Sequence, residues 1–398
     1  MYLIPEIEAS LEEIKALRRT IHAHPELRYK EMKTSQLVAD NLERWGLKVC
    51  RGFGKTGVVG ELTRGTSSRR VGLRADMDAL PITENNAFGH RSQNPGCMHA
   101  CGHDGHTAML LGAVKYLAAY GSFDGTIVFI FQPAEEGGAG AKAMIDDGLF
   151  EQFPVDAVFG IHNWPGMPEG HFGVRAGPRM ASSNEFRITV KGVGSHAAMP
   201  HIGTDPVFAA VQIANGLQAI ITRNKKPLDT AVLSITQIHG GDAVNVVPNE
   251  VWLGGTVRTF TVDTLDLIER RMNAIADATG AAHGCEVLVE FQRKYPPTVN
   301  DAEQTRFAVS VMEEVVGKQN VDASVEPIMT GEDFSFMLIE RPGCYAFLGN
   351  GDGAHRDAGH GMGPCTLHNA SYDFNDALLS VGATYWVKMA EKFLPVRS

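Results

Sequence analysis

Hydrophobic positions along the chain recur with two different periods, and the alternation between them predicts an α/β protein. Apolar residues three or four positions apart predict an N-terminal helix with one apolar face: Ile7, Leu11, Ile14, Leu17 and Ile21. A second helix is predicted over residues 33–45, ending before Gly46. Short apolar runs then alternate with helical patterns, which is typical of a largely parallel sheet. The predicted strands are Val71–Ala75, Ile127–Phe131 and Val155–Ile161, and the helices between them are His106–Tyr120 and Gly140–Asp147.

The pattern changes after about Met180 and predicts a second, smaller domain. Phe186, Ile188 and Val190 alternate with polar residues, as on a half-exposed strand. Two strand–helix–strand halves then indicate a small α+β domain, a sheet with two helices on one face. The α/β pattern resumes near Tyr295, so the small domain is predicted as an insertion. The predicted domains are 1–182 and 295–398 for the large domain and 183–294 for the insertion. The further predicted helices are 205–222, 264–278, 303–316 and 375–393, and the strands are 231–238, 250–260 and 286–292.

Length, charge and cysteine content narrow the class of protein. The 398 residues exceed the roughly 250–300 at which a single core stops growing, which agrees with two domains. A net charge of −10 argues against nucleic acid or an anionic membrane surface as a partner. The N-terminal segment is charged and amphipathic without an apolar signal core, so export is not expected. Six scattered cysteines are too few for a disulfide scaffold, and free thiols are typical of a cytoplasmic protein.

Residues 99–106 concentrate the groups that bind metals. Three His, one Cys and one Asp fall within eight residues directly before a predicted helix: His99, Cys101, His103, Asp104 and His106. Thiolate and imidazole are ligands that zinc-like divalent metals prefer. A lone Cys or His is more often a core residue, whereas this concentration indicates a metal site. Cys97 lies close by and is grouped with this segment.

A pair of adjacent glutamates, Glu135 and Glu136, follows another apolar strand and precedes two glycines. In α/β sheets the carboxyl ends of strands are where ligands bind. Adjacent carboxylates on an extended chain point to different sides, so both rarely serve one metal. We therefore expect one Glu to coordinate metal and the other to take a proton from water at the metal. The alternative, a solvated acidic turn, fits the flanking apolar strand less well.

Other strand ends supply weaker candidates. His162 ends an apolar strand, and His368 precedes the final helix. Each alone is more often a structural histidine. Asp76 and Asp78 follow a further strand, where a carboxylate can hold a ligand histidine in one tautomer.

Nine motifs in order along the chain resemble those of the M20 metallopeptidase/amidohydrolase family. The resemblance spans nearly the whole chain and is to the branch of hippurate hydrolases, N-acyl-amino-acid amidohydrolases and indole-acetyl-amino-acid hydrolases. The motifs are RRTIHAHPEL (18–27), LRADMDALPI (73–82), MHACGHDGHTAMLLGA (98–113), FQPAEEGG (131–138), GSHAAMPH (194–201), NVVPNE (245–250), GTVRTF (255–260), TGEDFS (330–335) and LHNASYDFND (367–376). The resemblance implies a phosphorylase/hydrolase-like catalytic domain with a mixed, largely parallel sheet, plus an inserted α+β lid/dimerisation domain.

The resemblance also implies a two-metal site. It makes Cys101, His103, Glu136, His162 and His368 metal ligands. Many members of the family have Asp where Cys101 stands, and a thiolate is a softer ligand that alters metal preference. The implied cofactors are two divalent ions per subunit, Zn, Mn, Co or Ni. The loop 351–363 carries two further imidazoles, His355 and His360, close in sequence to His368.

Catalytic roles follow from the same resemblance. Glu135 is the implied general base, and Asp78, one of the two carboxylates expected above to hold a ligand histidine, is grouped with the catalytic residues. In this family the small domain is similar to a lid that pairs with its twin, which implies a homodimer and leaves further assembly open. His196 matches a residue that reaches the active site of the partner subunit. Asn245 and Arg258 match residues that bind the substrate carboxylate or polarise its carbonyl, and the alternative is that His196 and Arg258 are ordinary surface residues.

The implied function is metal-dependent hydrolysis of N-acyl amino acids, either hippurate-like or N-acetyl. A guanidinium such as that of Arg258 suits a substrate carboxylate because it can bind bidentately. A dinuclear dipeptidase or aminopeptidase is one alternative, but it needs an acidic group for the substrate ammonium, and we assign none. A non-catalytic metal-binding or redox protein using Cys97 and Cys101 is another, and it leaves the glutamate pair and the insertion unexplained.

Overall fold

The computed structural model describes residues 1–356 and 359–396, and the chain within it forms two units. The first unit comprises Met1–Arg179, Val299–Glu326 and Asp333–Ser398, and the second comprises Met180–Thr298 and Pro327–Glu332. The predicted insertion, 183–294, lies inside the main span of the second unit. No helix among the described residues is long and apolar enough to cross a membrane.

The first 180 residues contain seven helices and seven strands of the described chain. The helices are α1 Pro5–Ala9, α2 Leu11–Ala23, α3 Met32–Arg44, α4 His103–Tyr120, α5 Glu135–Gly138, α6 Gly140–Asp146 and α7 Leu149–Gln152. The strands are β1 Lys48–Phe53, β2 Gly57–Arg64, β3 Arg70–Asp76, β4 Gly125–Gln132, β5 Ala157–Pro165, β6 Phe172–Gly173 and β7 Gly177–Met180.

The second unit is built on a four-stranded antiparallel sheet in the order β10-β12-β8-β13. One face of this sheet buries Ile188, Leu253 and Val257 against two helices, which contribute Ile213 and Met272 to the same core. The strands are β8 Ser183–Lys191, β9 Ser195–His196, β10 Ala231–His239, β11 Val246–Val247, β12 Glu250–Thr259 and β13 Glu286–Tyr295, and the helices are α8 Pro206–Ala219 and α9 Val262–Ala282.

The rest of the chain completes the first unit. Its elements are β14 Thr298–Asn300, α10 Ala302–Val316, β15 Val321–Asp322, α11 Phe334–Glu340, β16 Gly343–Gly351 and α12 Leu378–Phe393. The glycine-rich segment after β16 includes Asp357 and Ala358, which lie outside the described residues.

An eight-stranded sheet forms the centre of the first unit, in the order β1-β2-β4-β3-β5-β16-β6-β15. Its middle four strands, β4, β3, β5 and β16, run parallel, whereas β1, β2 and β4 pair antiparallel. Every residue of β4 is buried, as expected for a strand covered on both faces. The predicted α/β class with a mixed, largely parallel sheet is confirmed.

Several predicted elements differ from the structure. The single N-terminal helix is wrong, because Ser10 separates α1 from α2. The last helix starts at Leu378 and not at residue 375, since the side chain of Asn375 donates to Glu169 at 2.7 Å and its backbone N–H donates to Asn350 at 2.9 Å. Strands β1, β2 and β16 were not predicted.

Candidate metal centre

The carboxyl ends of three neighbouring strands position part of the site. β3 pairs in parallel with both β4 and β5, so the three strands end at the same edge of the sheet. Asp76 ends β3, Glu135 follows shortly after the end of β4, and His162 lies in the second half of β5. The parallel pairing therefore explains why residues far apart in sequence meet at one place.

A left-handed glycine positions Cys101 and His103 at the start of α4. Gly102 has a φ of 92°. A Cβ at this position would lie 2.2 Å from Nδ2 of Asn163 and 2.5 Å from Oη of Tyr372, so only glycine fits. The turn brings the Cys101 sulfur and the His103 ring into one cluster.

Two groups of ligand atoms share the Cys101 sulfur. Cys101, His103 and His162 form one group, and Cys101, Glu136 and His368 form the other, with the atoms of each group within 4.8 Å of one another. Sγ of Cys101 is 3.3 Å from Nε2 of His162. Oε1 of Glu136 is 3.2 Å from Nε2 of His368. The structure thus brings together all five residues predicted as ligands.

The chemistry of this cluster fits divalent metal. Nε2 of His103 is buried and has no hydrogen-bond partner among the described residues. An unpaired buried polar atom costs about 1–3 kcal/mol, which a ligand at this position would remove. Thiolate, imidazole and carboxylate are the donors that zinc-like metals accept. Two donor groups that share one sulfur fit two neighbouring ions.

Burial shifts the pKa values of two predicted ligands, His162 and Cys101, in opposite directions. It lowers the pKa of His162 well below its usual range, which leaves a neutral imidazole ready to coordinate. Burial and the nearby carboxylates of Glu136 and Glu135 raise the pKa of Cys101 well above its usual range. Without metal, Cys101 is therefore a thiol.

Asp78 links His103 to the glutamate pair. Its Oδ1 is 3.3 Å from Nδ1 of His103, and its two oxygens accept the backbone N–H groups of Glu135 and Glu136 at 3.0 and 2.9 Å. Burial disfavours a charged His103, yet the carboxylates of Asp76 and Asp78 raise the pKa of His103 to about 10. With Nδ1 facing Asp78, Nε2 is the atom left for a metal.

The backbone around Glu135 and Glu136 is not extended, which corrects the expectation that the two carboxylates diverge. Ala134 and Ala139 both have a φ of 54°, in the left-handed region, and Glu136 itself departs from helical geometry. As a result both carboxylates offer an oxygen within 4.8 Å of a His103 nitrogen. Residues held in the left-handed region cost about 1–3 kcal/mol each and often occur at functional sites.

A hydrogen-bonded chain through Asn163 connects the segments that carry the ligands. Nδ1 of His106 lies 2.6 Å from Oδ1 of Asp76, and Nε2 of His106 accepts the backbone N–H of Asn163 at 2.9 Å. Nδ2 of Asn163 donates to the carbonyl of Cys101 at 2.6 Å, and Oη of Tyr372 donates to Oδ1 of Asn163 at 2.7 Å. Oδ1 of Asp76 thus contacts His106, which was not predicted as a ligand, while its Oδ2 lies 3.7 Å from Nε2 of His103. The sequence analysis missed Asn163 and Tyr372, and only the position of Asn163 beside His162 signals its role.

A buried arginine in α2 also escaped the sequence analysis. Arg18 is fully buried and donates to Asp104 at 2.8 Å and to Asp373. His22 lies 2.9 Å from the same Asp104 carboxylate, and although burial opposes it, that carboxylate raises the pKa of His22 to about 9. Because Asp104 follows His103, this cluster anchors the first turn of α4 to α2. Removing one partner of a buried ion pair typically costs about 3–5 kcal/mol.

His368 reaches the ligand group from a left-handed position, with a φ of 61°. Its backbone N–H donates to the carbonyl of Ala100 at 2.7 Å, which joins the two ligand segments. The Glu136 carboxylate beside it raises the pKa of His368. The other two imidazoles of this region, His355 and His360, lie 3.3 and 3.0 Å from oxygens of Asp373 instead.

The remaining predicted residues lie in the second unit. β9 and β11 pair, so His196 and Asn245 come close: the backbone N–H of Ala197 donates to the carbonyl of Asn245 at 3.0 Å. Both are exposed, and Nδ1 of His196 accepts the N–H of Ala198 at 3.1 Å. Arg258 is half-buried on β12, and burial lowers its pKa.

Comparisons with known proteins point to one family. Residues 72–392 match the model of peptidase family M20/M25/M40. The chain is 41% identical over 394 residues to hippurate hydrolase of Campylobacter jejuni, with 99% of this chain and 100% of that protein covered. It is 38% identical to the IAA-amino acid hydrolase ILR1-like 4 of Arabidopsis thaliana, over 95% of this chain and 85% of that protein. The crystal structure of the Bacillus subtilis YXEP protein, described as a dinuclear metal binding peptidase from the M20 family, has a TM-score of 0.82 and 32% identity, and covers 97% of this chain and 99% of that one.

Proposed function

Because this chain belongs to peptidase family M20/M25/M40, we propose that it is a metal-dependent amidohydrolase that cleaves N-acyl amino acids into a carboxylic acid and a free amino acid. The observation that carries the proposal is the pair of ligand groups sharing Cys101, with Glu135 beside them. The full-length similarity to hippurate hydrolase supports the choice of substrate, since hippurate is N-benzoylglycine.

Five residues would hold the metals. His103 and His162 would bind one ion, Glu136 and His368 the other, and Cys101 would be shared because its sulfur belongs to both groups. When bound, such ions lower the pKa of water toward neutrality and polarise the substrate carbonyl. Zn, Mn, Co and Ni all suit the donors, and the thiolate favours the softer members of this set.

Glu135 is the proposed general base and acid. Its carboxylate takes a proton from the water whose oxygen attacks the amide carbonyl carbon. When the C–N bond breaks, the same proton passes to the leaving nitrogen, so that the amino acid departs as a neutral amine. Glu135 is only 8% exposed, and its backbone is held by Asp78, which support this role.

Asp78 and Asn163 are proposed to orient the ligands. Asp78 fixes the His103 tautomer and the Glu135–Glu136 turn through one carboxylate. Asn163 ties the Cys101 carbonyl to the strand that carries His162. Outer hydrogen bonds of this kind typically change metal affinity or activity by about 10–100-fold.

Substrate binding is proposed to involve the second unit. His196 would stabilise the oxyanion of the neighbouring subunit, and Asn245 lies beside it, directly before the paired strand β11. Arg258 would bind the substrate carboxylate through its guanidinium. This assignment requires a homodimer formed through the second unit.

A cytoplasmic location is part of the proposal. All six cysteines are unpaired, which agrees with a reducing compartment.

The test is a turnover screen of N-acetyl, N-benzoyl and indole-acetyl amino acids with Zn, Mn, Co and Ni supplied separately to metal-free protein. We expect hydrolysis that depends on metal and on a free α-carboxylate in the substrate. Dipeptides with a free amino terminus serve as the comparison. Faster cleavage of these dipeptides than of every N-acyl amino acid would contradict the proposal and favour a dipeptidase.

A further inference from the structure

An aromatic side chain lies next to a metal ligand on strand β5. Trp164 follows His162 by two residues, and residues two apart on a strand point to the same face. The centroids of the imidazole and the indole are 6.4 Å apart. Trp164 therefore borders the proposed metal site.

The indole is the outermost member of a stack of three planar groups. Its ring lies 4.2 Å from that of Phe347 with an interplanar angle of 6°. The guanidinium of Arg179 is 3.9 Å from the centroid of the same phenyl ring. Because both groups lie within van der Waals contact of one ring, and the parallel indole covers one face, Arg179 must cover the other.

Of the three side chains in this stack, only Trp164 is appreciably exposed to solvent. Phe347 is 1% exposed and Arg179 is 2% exposed, whereas Trp164 is half-buried. One face of the indole is covered by Phe347, so an aryl group can stack on the indole only from the opposite face. Phe347 is also the strand partner of His162 in β16, which fixes the stack relative to the ligand. The result is a rigid aromatic surface beside the metal centre.

We propose that Trp164 is a specificity-determining residue that binds the aryl group of N-aroyl and N-arylacetyl amino acids by stacking on the indole face opposite Phe347. The proposal rests on the proposed function. In an N-benzoyl substrate the ring is attached directly to the carbonyl carbon that reacts, so it must lie close to the ligands, as Trp164 does. Offset stacking of aromatic rings adds to the gain from burying them.

The acyl half of the substrate fits this surface better than the amino-acid half does. The amino-acid half carries a carboxylate, which needs a cation or hydrogen-bond donors. The accessible part of the stack is apolar, and its single cation, Arg179, is buried behind Phe347. An uncharged aryl group therefore matches the surface.

The experiment compares kcat/KM of the metal-loaded enzyme for two pairs of substrates. N-benzoylglycine against N-acetylglycine varies the acyl group, and N-acetylphenylalanine against N-acetylglycine varies the amino acid. Trp164→Leu should lower the benzoyl-to-acetyl ratio about tenfold, mainly through KM, because the stacking is made in the ground state as well as the transition state. Trp164→Phe should retain most of the ratio, and Trp45→Leu, a half-buried tryptophan at the end of α3, should leave it unchanged.

Binding of benzoate and acetate, measured by equilibrium dialysis, gives a second readout that needs no turnover. Wild-type protein should prefer benzoate, and Trp164→Leu should lose that preference. An unchanged benzoyl-to-acetyl ratio in both Trp164 variants, with normal metal content, would overturn the proposal. So would a change confined to the phenylalanine-to-glycine ratio, since the ring would then serve the amino-acid half. If wild-type holoenzyme cleaved no N-acyl amino acid, the proposed function would fail, and the dialysis would still decide whether Trp164 binds aryl groups.

Discussion

Glu135 and Glu136 are neighbours in the chain, yet their surroundings support different roles. Glu136 lies 3.2 Å from His368 and shares a ligand group with Cys101. The carboxylate of Glu135 lies with His103 and Glu136 but in neither of the groups that share the sulfur. Glu135 thus lies beside the predicted ligands but completes neither of the two groups that share the Cys101 sulfur. This position suits a residue that transfers a proton.

The first prediction separates the two glutamates. Glu135→Gln keeps the size of the side chain but cannot accept a proton, so turnover should fall by about 10²–10⁴-fold. Metal content, measured by elemental analysis, should stay near two ions per chain. Glu136→Gln is the matched variant and should lose metal as well as activity. Loss of metal from Glu135→Gln together with its retention in Glu136→Gln would reverse the two roles.

The second prediction concerns pH and metal affinity. The raised pKa of Cys101 and the pKa of about 10 for His103 mean that both hold a proton at neutral pH in metal-free protein. Both protons must leave when metal binds. The release of each proton makes metal binding about tenfold tighter for every unit by which the pH rises. Affinity should therefore rise with pH, as measured by competition with a chelator between about pH 6 and 8.

Cys101→Ala provides the control for this pH dependence. It removes one of the two protons, so the slope of log metal affinity against pH should decrease by about one. The remaining metal affinity should be weaker at every pH. A slope that is the same in Cys101→Ala and wild type would show that the thiol does not lose its proton to the metal.

At the scale of the element, the sequence predicted those strands and helices that have a clear hydrophobic periodicity or lie beside a local motif. β3, β4 and β5 were found because each is a buried apolar run bounded by polar or turn residues. β1 was missed because this edge strand, half of whose residues are exposed, has no clear hydrophobic alternation. β16 was not predicted, although Cys344–Leu348 is an uninterrupted apolar run of five residues with a glycine on each side.

The same distinction holds for the site. The predicted ligands lie in short motifs, which is why the family resemblance could assign them from the sequence. The links between the ligand segments lie between residues far apart in the chain, such as Asn163 with Tyr372 and Arg18 with Asp373. No local pattern records which distant side chain completes such a hydrogen bond, so these links required the structure.

The third prediction tests the turn that begins α4. Gly102→Ala forces a Cβ into a left-handed residue and against the Asn163 amide 2.2 Å away. The free energy of unfolding should fall by about 1–3 kcal/mol, and metal affinity should fall with it, because the turn carries Cys101 and His103. Chemical denaturation and chelator competition measure the two effects.

Gly89→Ala is the matched control for Gly102→Ala. Gly89 is exposed, and a Cβ there would meet nothing within 4 Å. Its effect on unfolding should stay within about 0.5 kcal/mol. Normal stability and normal metal binding in Gly102→Ala would show that the turn can relax and that the glycine is not required.

At the scale of the whole molecule, the surface of the second unit supports the proposed homodimer. Apolar side chains that a monomer would leave in water are exposed on α8 and on the loop that carries His196: Met199, Ile202, Val207, Phe208 and Val211. Clusters of exposed apolar residues commonly mark protein–protein interfaces. β10 and β13 are also sheet edges with unpaired backbone groups.

The fourth prediction tests whether His196 acts on the neighbouring subunit. His196→Ala and Glu135→Gln should each be nearly inactive alone, whereas His201→Ala, an exposed histidine on the same loop, should remain active. After the two inactive variants are mixed equally and allowed to exchange subunits, half of the dimers are mixed. In each of these, one of the two sites combines an intact Glu135 with an intact His196 from the other chain. Activity should therefore return to about a quarter of that of wild type. If subunit exchange is demonstrated and no activity returns, His196 serves its own chain or takes no part in catalysis.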